Sequence, residues 1–158
     1  ENLLQVIPYA TDELALVLPP KHPLAKKKEL MKEDLYKLNF VTLDSQSTTR
    51  KVVDKLLKDS GLDIQRLKIE MELNSLEAIK NAVQSGLGAS FLPVVSIERE
   101  LSGGTIHKSY VADLEVKREL KLITNPSRYT SRASEAFKKN ILPQFASLDS
   151  PLRQINLT

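Results

Sequence analysis

The chain has 158 residues, 41% hydrophobic and 27% charged, with 23 Lys and Arg against 20 Asp and Glu for a net charge of +3. That composition suits one compact domain or two small lobes and excludes a disordered chain or a collagen-like repeat; no apolar run reaches the roughly 18 residues of a membrane span, and the charge is too balanced for a dedicated nucleic-acid surface. Cysteine and tryptophan are absent, which removes disulfides, thiolate metal sites, cysteine nucleophiles and indole platforms, and points to a reducing compartment.

The chain opens on Glu1, and its first twenty residues lack the basic start and apolar core of a signal peptide, so it reads as an internal fragment. Leu14, Leu16 and Leu18 alternate with other residues up to Pro19-Pro20, the pattern of a short strand halted by prolines that cannot continue a ladder. Lys26, Lys27 and Lys28 then form a solvated connector face, and Glu33 to Leu38 a helical turn.

Phe40 to Leu43 is a compact apolar strand, followed by the polar turn Asp44 to Thr49 with several possible N-caps. Val52, Val53, Leu56 and Leu57 give the next helix one apolar face, and Ser60-Gly61 supplies a left-handed stop. Leu67, Ile69, Met71 and Leu73 alternate with Lys68, Glu70 and Glu72, which predicts a strand with one wet face. Asn74-Ser75-Leu76-Glu77 reads as a capping box with Asn74 as N-cap, opening a helix that buries Leu76, Ile79 and Val83 and ends at Gly86.

Ala89 to Leu92 is the following strand. Pro93 suits the first turn of a helix carrying Val94, Val95, Ile97 and Leu101, broken at Gly103-Gly104. Thr105 to Tyr110 and Leu114 to Ile123 predict two further strands. The last helix, about Ser131 to Ile141, offers Ala133, Ala136, Phe137 and Ile141 as an inner face before Pro143, and Ser147 to Thr158 reads as a loose terminus or surface strap.

Strand and helix alternate from Phe40 to Leu101, which calls for parallel strands with right-handed crossovers: an α/β fold with helices on both sheet faces. Ligands in such sheets bind beyond the carboxyl ends of strands, where helices begin, and that rule selects two loops. In Ser45 to Arg50, hydroxyls and free helix N–H groups converge beside a guanidinium, a chemistry suited to carboxylate or phosphate. Asn74-Ser75 stands at the next helix start and can face the same cleft. In both loops these residues also serve as ordinary helix caps.

Catalytic constellations are missing: there is no G-x-S-x-G elbow, H-E-x-x-H or P-loop, and Gly86-x-Gly88 lacks a third glycine. His22 and His107 have no evident partners, Glu70 and Glu72 read as a solvated strand face, and Arg128-Tyr129 as a surface turn. The residues indicate no enzyme, no metal site and no cofactor.

Residues 12–25 (DELALVLPPKHPLA), then NFVTLDSQSTTRKVVDKLL, LNSLEAIKNAVQSGLGASFLP and a late RELKLI, closely resemble the effector-binding region of LysR-type transcriptional regulators over nearly the whole chain. MELNSLEAIKNAVQSGLG and NPSRYTSRASEAFKKNILPQF are most similar to the regulators of RuBisCO and carbon-fixation operons in oxygenic phototrophs. The resemblance implies a periplasmic-binding-protein-like architecture. Residues 1–39 would hold the end of lobe one and a crossing strand, residues 40–118 the complete effector-binding lobe two, and residues 119–158 the returning crossing strand, a C-terminal helix of lobe one and a tail.

The family's winged helix-turn-helix, linker helix and first part of lobe one would precede this stretch, so DNA would be reached only through that missing segment. The implied ligand is a small anionic metabolite: a sugar bisphosphate, phosphoglycolate, 2-oxoglutarate or a reduced nicotinamide. Family ligand contacts fall by motif position on Ser47, Thr48 and Thr49 and on Asn74 and Ser75, with Phe91 and Pro93 bordering the same cleft. The full-length protein would be a homodimer or homotetramer without membrane contact, in cytoplasm or plastid stroma. A transport-type solute-binding lobe is the alternative, and the residues upstream of Glu1 would decide between them.

Overall fold

The computed structural model describes residues 4–146; the tail expected at Ser147 to Thr158 lies outside the described residues. The chain divides into two units, residues 13–118 and residues 1–12 with 119–158. Among the described residues the strands are β1 (Gln5–Leu18), β2 (Asn39–Leu43), β3 (Lys68–Leu73), β4 (Ser90–Pro93), β5 (His107–Ser109) and β6 (Lys117–Thr124), and the helices α1 (Thr48–Asp59), α2 (Leu76–Gln84), α3 (Glu98–Ser102) and α4 (Arg132–Ala146).

In residues 13–118, β1 pairs antiparallel with β4 (Leu14↔Pro93 to Val17↔Ser90) and with β5 (Leu16↔Ser109 to Leu18↔His107). β2 and β3 run parallel, Asn39↔Lys68 to Leu43↔Leu73. A parallel bridge at Phe40↔Ala89 joins the two strand sets, through Val41 N to Ala89 O at 2.9 Å and Ala89 N to Asn39 O at 2.7 Å. The sheet is therefore mixed rather than wholly parallel. Crossover helices make the inner strands parallel, while β1, which no helix links to β4, enters antiparallel.

Strand alternation sends Leu14, Leu16 and Leu18 to one face, where Phe40, Val53 and Leu57 complete a core under α1. Val17 points to the other face, where Val41, Ile79, Val83, Leu92 and Ile97 form a second core under α2 and the segment leading into α3. The expected arrangement of helices on both faces holds.

Local chemistry sets the helix ends. After α1, Gly61 takes φ +86°, its N–H reaching Lys58 O at 2.8 Å and that of Leu62 reaching Leu57 O at 3.0 Å. After α2, Gly86 (φ +85°) and Leu87 repeat the pattern onto Val83 and Ala82. Both closures place glycine where a side chain would be strained.

Several boundaries differ from the sequence expectation. The N-cap of α2 is Ser75, not Asn74: Ser75 has extended backbone and its Oγ accepts from Ala78 N at 3.4 Å. Pro93 ends β4 instead of opening a helix, and Val94–Ser96 is a 3-10 turn before the short α3. β1 starts nine residues earlier than the strand drawn from Leu14, because Gln5 to Glu13 shows no alternation to announce it.

The expectation of one continuous dry face on β3 fails at a register shift opposite Phe40/Val41. The extra residue turns the strand over, so Ile69 packs into the core under α1 and Leu73 into the core under α2, leaving Met71 41% exposed.

The other unit contains the first part of β1, most of β6 and α4. Thr124 Oγ1 meets Gln5 Oε1 at 3.2 Å, and Ser131 caps α4 through Ser134 N at 3.1 Å. α4 continues through Pro143 rather than stopping before it. Ala133, Ala136 and Phe137 are exposed and Ile141 is half-buried, since the described part of this unit has too few layers to cover them.

Candidate functional site

Pairing of Leu43 with Leu73 makes β2 and β3 end side by side, and Asp44 N donates to Leu73 O at 3.0 Å, so both selected loops leave one end of the sheet. Asp44 folds the first loop. Its Oδ1 accepts from Gln46 N at 2.9 Å and its carbonyl from Ser47 N at 3.0 Å. Ser47 then caps α1, accepting from Arg50 N at 3.5 Å. The N–H groups of Thr48 and Thr49, in the first turn, have no carbonyl within the helix to bind and lie at the positive end of its dipole. In the second loop Asn74 is exposed and Ser75 holds the cap of α2.

Thus Ser47, Thr48, Thr49, Asn74 and Ser75 share one sheet end. Phe91 lies on the α1 face, its ring stacked on Phe40 at 6.2 Å between centroids with planes 4° apart. It lines, with Thr49, Thr42 and Arg50, a mostly apolar depression beneath α1. Pro93 is buried at the same end, opposite Leu14 on β1, and stands outside that depression.

Arg50, the guanidinium of the first loop, is turned inward. Its Nε meets both Asp54 oxygens at 2.8 and 2.9 Å, and its Nη1 reaches Thr42 Oγ1, Leu43 O at 3.2 Å and Glu72 at 3.5 Å. It locks α1 to β2 and β3. The register shift in β3 makes this possible by setting Glu72 opposite Thr42.

A residue missed in the sequence stands at the same place. Arg118, at the start of β6, donates from Nη1 to Thr49 Oγ1 at 2.9 Å. Nothing in the run Lys117 to Thr124 singles it out, and its reach to α1 is a contact across 69 positions that no local pattern announces.

The remaining polar groups serve structure. Asp34 is buried and accepts from Lys37 at 2.7 Å, Lys27 at 3.0 Å and Met31 N at 3.1 Å, in that order of influence the cause of a carboxyl held well below the usual range. Lys80, also buried, meets Glu77 at 2.7 Å, Glu100 at 2.9 Å and Ser96 O at 3.2 Å, and hydrogen bonding to Glu77 and then Glu100 raises its pKa. His22 Nδ1 accepts from Leu24 N at 3.2 Å to start a 3-10 turn. Among the described residues no group of His, Cys, Asp and Glu is placed to hold a metal, and no helix is long and apolar enough to cross a membrane.

The model of the LysR substrate binding domain matches residues 1–146. The chain belongs to the LysR substrate-binding family. Among curated relatives, it is 59% identical over 146 residues to a protein of Trichormus variabilis named "Probable RuBisCO transcriptional regulator", covering 92% of this chain and 43% of that protein. It is 54% identical over 147 residues to one of the same name from Porphyra purpurea, covering 93% of this chain and 46% of that one. The LysR domain described here thus spans less than half the length of these relatives.

Solved LysR structures share the fold. The regulatory domain of Synechocystis CcmR, in complex with 2-PG, superposes with a TM-score of 0.81 at 23% identity, over 94% of this chain and 70% of that one. The effector-binding domain of QuiR, in complex with shikimate, gives 0.75 at 23% identity over 90% and 66%. The periplasmic-binding-protein-like α/β class expected from sequence is that of these domains.

Proposed function

We propose that this chain is the effector-sensing part of a DNA-binding transcriptional regulator of carbon-fixation genes, with residues 40–118 as the effector-binding lobe. The observation that carries the site is the Leu43↔Leu73 pairing, which brings the starts of α1 and α2 to one sheet end. There Ser47, Thr48, Thr49, Asn74 and Ser75 offer hydroxyls, an amide and helix N–H groups to a small anionic metabolite, with Phe91 and Pro93 bordering it. 2-PG, held by the CcmR domain, is the first candidate. The RuBisCO regulator name shared by relatives above 50% identity supports regulation over solute transport.

Binding, not turnover, is the task. A metabolite that prefers one conformation shifts the population toward it, and the change is read by a DNA-binding segment elsewhere in a homodimer or homotetramer, in cytoplasm or plastid stroma. Residues 1–39 and 119–158 would supply the crossing strands and the remainder of the other lobe.

The test is calorimetric titration of the full-length protein with 2-PG, comparing Thr49→Ala and Ser75→Ala with the parent. Losing one hydrogen bond of about 0.5 to 1.5 kcal/mol weakens binding about threefold to tenfold. A lower melting temperature with unchanged affinity would mean that these residues only cap their helices.

A further inference from the structure

A second pocket opens within residues 13–118, between β1, β5 and the segment that follows β5, with a volume of about 310 Å³. None of Ser47, Thr48, Thr49, Asn74 and Ser75 contributes to its wall, and Phe91 alone belongs both to it and to the depression beneath α1. Strand pairing builds the wall. Phe91 stands opposite Leu16 on one side and Ser109 opposite it on the other, so the three side chains form a row on the same face of the sheet. Leu14, Val111, Leu114 and Val116 line the pocket with them, and all of these apolar residues belong to the core under α1.

Ser109 is the polar member of that row. It is 7% exposed, and its Oγ is buried without a hydrogen-bond partner among the described residues. A buried hydroxyl left in this state is costly and calls for a partner from outside the chain. The charged part of the wall is closed on itself. Lys108 meets Glu13 at 2.7 Å and stands 5.3 Å from the centre of the Tyr110 ring, and Lys117 meets Glu115 at 3.0 Å. Two ammoniums and two carboxylates cancel, so an ion entering the pocket would lose its hydration without gaining a free countercharge.

We infer that this pocket is a second ligand site, which takes a small molecule, uncharged overall, with an apolar body against Leu16, Phe91 and Val111 and one oxygen or nitrogen bonded to Ser109 Oγ through a change of that residue's χ1 rotamer. An apolar void of about 150 Å³ already accommodates a benzene ring, so the pocket has room for one ring with a substituent. Its chemistry differs from that of the α1 and α2 starts, which offer helix N–H groups to an anion, and the assignment stands independently of the effector reading of those loops.

Calorimetric titration of the full-length protein with benzyl alcohol, toluene and benzoate, which share one ring and differ in polar group and charge, tests the assignment. Benzyl alcohol binds saturably, one molecule per chain, and toluene binds about threefold to tenfold more weakly for want of the hydrogen bond. Benzoate, whose charge finds no free partner in the wall, binds at least about tenfold more weakly than benzyl alcohol. Ser109→Ala abolishes the preference for benzyl alcohol over toluene without lowering the melting temperature, because the hydroxyl it removes has no partner to lose. Leu114→Trp, and independently Val111→Phe, fill the pocket and remove binding of both compounds while the titration with 2-PG stays as in the parent.

Absence of saturable benzyl alcohol binding overturns the site, and means that water or another part of the full chain occupies the pocket. Binding that survives both filling variants, or that 2-PG displaces in strict competition, lies elsewhere and overturns the assignment equally. Equal affinity for benzyl alcohol and toluene, or tighter binding of benzoate, overturns the ligand class. Failure of 2-PG to bind while benzyl alcohol still does refutes the anion reading of the loops and leaves this site standing.

Discussion

Replacing Gly88 with alanine probes the bridge that unites the two strand sets. A Cβ at Gly88 would stand 2.7 Å from the Asn39 carbonyl oxygen, and 3.2 Å from both the Asn39 carbonyl carbon and Val41 Cγ2. The same oxygen accepts from Ala89 N at 2.7 Å, and Val41 N donates back to Ala89 O at 2.9 Å. Because the obstacle is backbone, the methyl group fits only if the strands separate by several tenths of an ångström, stretching both bonds. Two net hydrogen bonds at about 0.5 to 1.5 kcal/mol each, added to overpacking strain of about 1 to 3 kcal/mol, place the loss at about 2 to 6 kcal/mol. Urea unfolding followed by circular dichroism would read this as a lower midpoint at unchanged slope, and a thermal scan as a fall on the order of 10 °C. The exposed Gly61, with φ +86° and nothing within 4 Å of an added Cβ, is the control: alanine there meets only backbone strain of about 1 kcal/mol or slightly more. A Gly88→Ala variant within about 0.5 kcal/mol of the parent would refute the reasoning and mean that the bridge does not hold the strands in register.

Two predictions concern pH. Asp34→Asn removes a carboxylate whose pKa is depressed by hydrogen bonds from Lys37, Lys27 and the Met31 N–H; its contribution is complete above the ordinary carboxylate pKa and lost as pH falls through the folded value. The stability gap between parent and variant is therefore full above about pH 5 and narrows below about pH 4, as denaturant midpoints across that range would reveal. Lys80→Met removes an ammonium whose pKa is raised by Glu77 and Glu100. That contribution is complete below the ordinary lysine value and lost above the folded one, so the variant is less stable from neutral to about pH 10 and the gap closes only in stronger alkali; a gap that closed near neutrality would refute the raised value.

Much of the site frame was legible because it rests on local chemistry. Alternation at Leu14, Leu16 and Leu18 gave one sheet face, the spacing of Val53 and Leu57 gave the buried side of α1, and the polar turn after Leu43 marked the loop. What escaped depends on distant partners. The register shift in β3 interrupts a run whose alternation is perfect in the sequence, and only pairing with β2 reveals it. Arg118 is indistinguishable from its solvated neighbours until Thr49 stands before it. The change from Asn74 to Ser75 as cap is a matter of one residue of extended backbone, finer than capping preferences resolve.

Because a single sheet keeps the two hydrophobic layers apart, the tasks assigned to them can diverge independently. Thr49, Phe91 and the depression beneath α1 lie on one side, and the Lys80 anchor with α2 on the other. Exchanges that retune metabolite preference are thereby insulated from exchanges that set rigidity, and distant changes of the two kinds should add rather than interfere. For the effector site proposed above, the packed layer involved is the one beneath α1, and the smallest transplant expected to carry a preference into a related domain is the loop at 44–50 together with Asn74, Ser75 and Phe91.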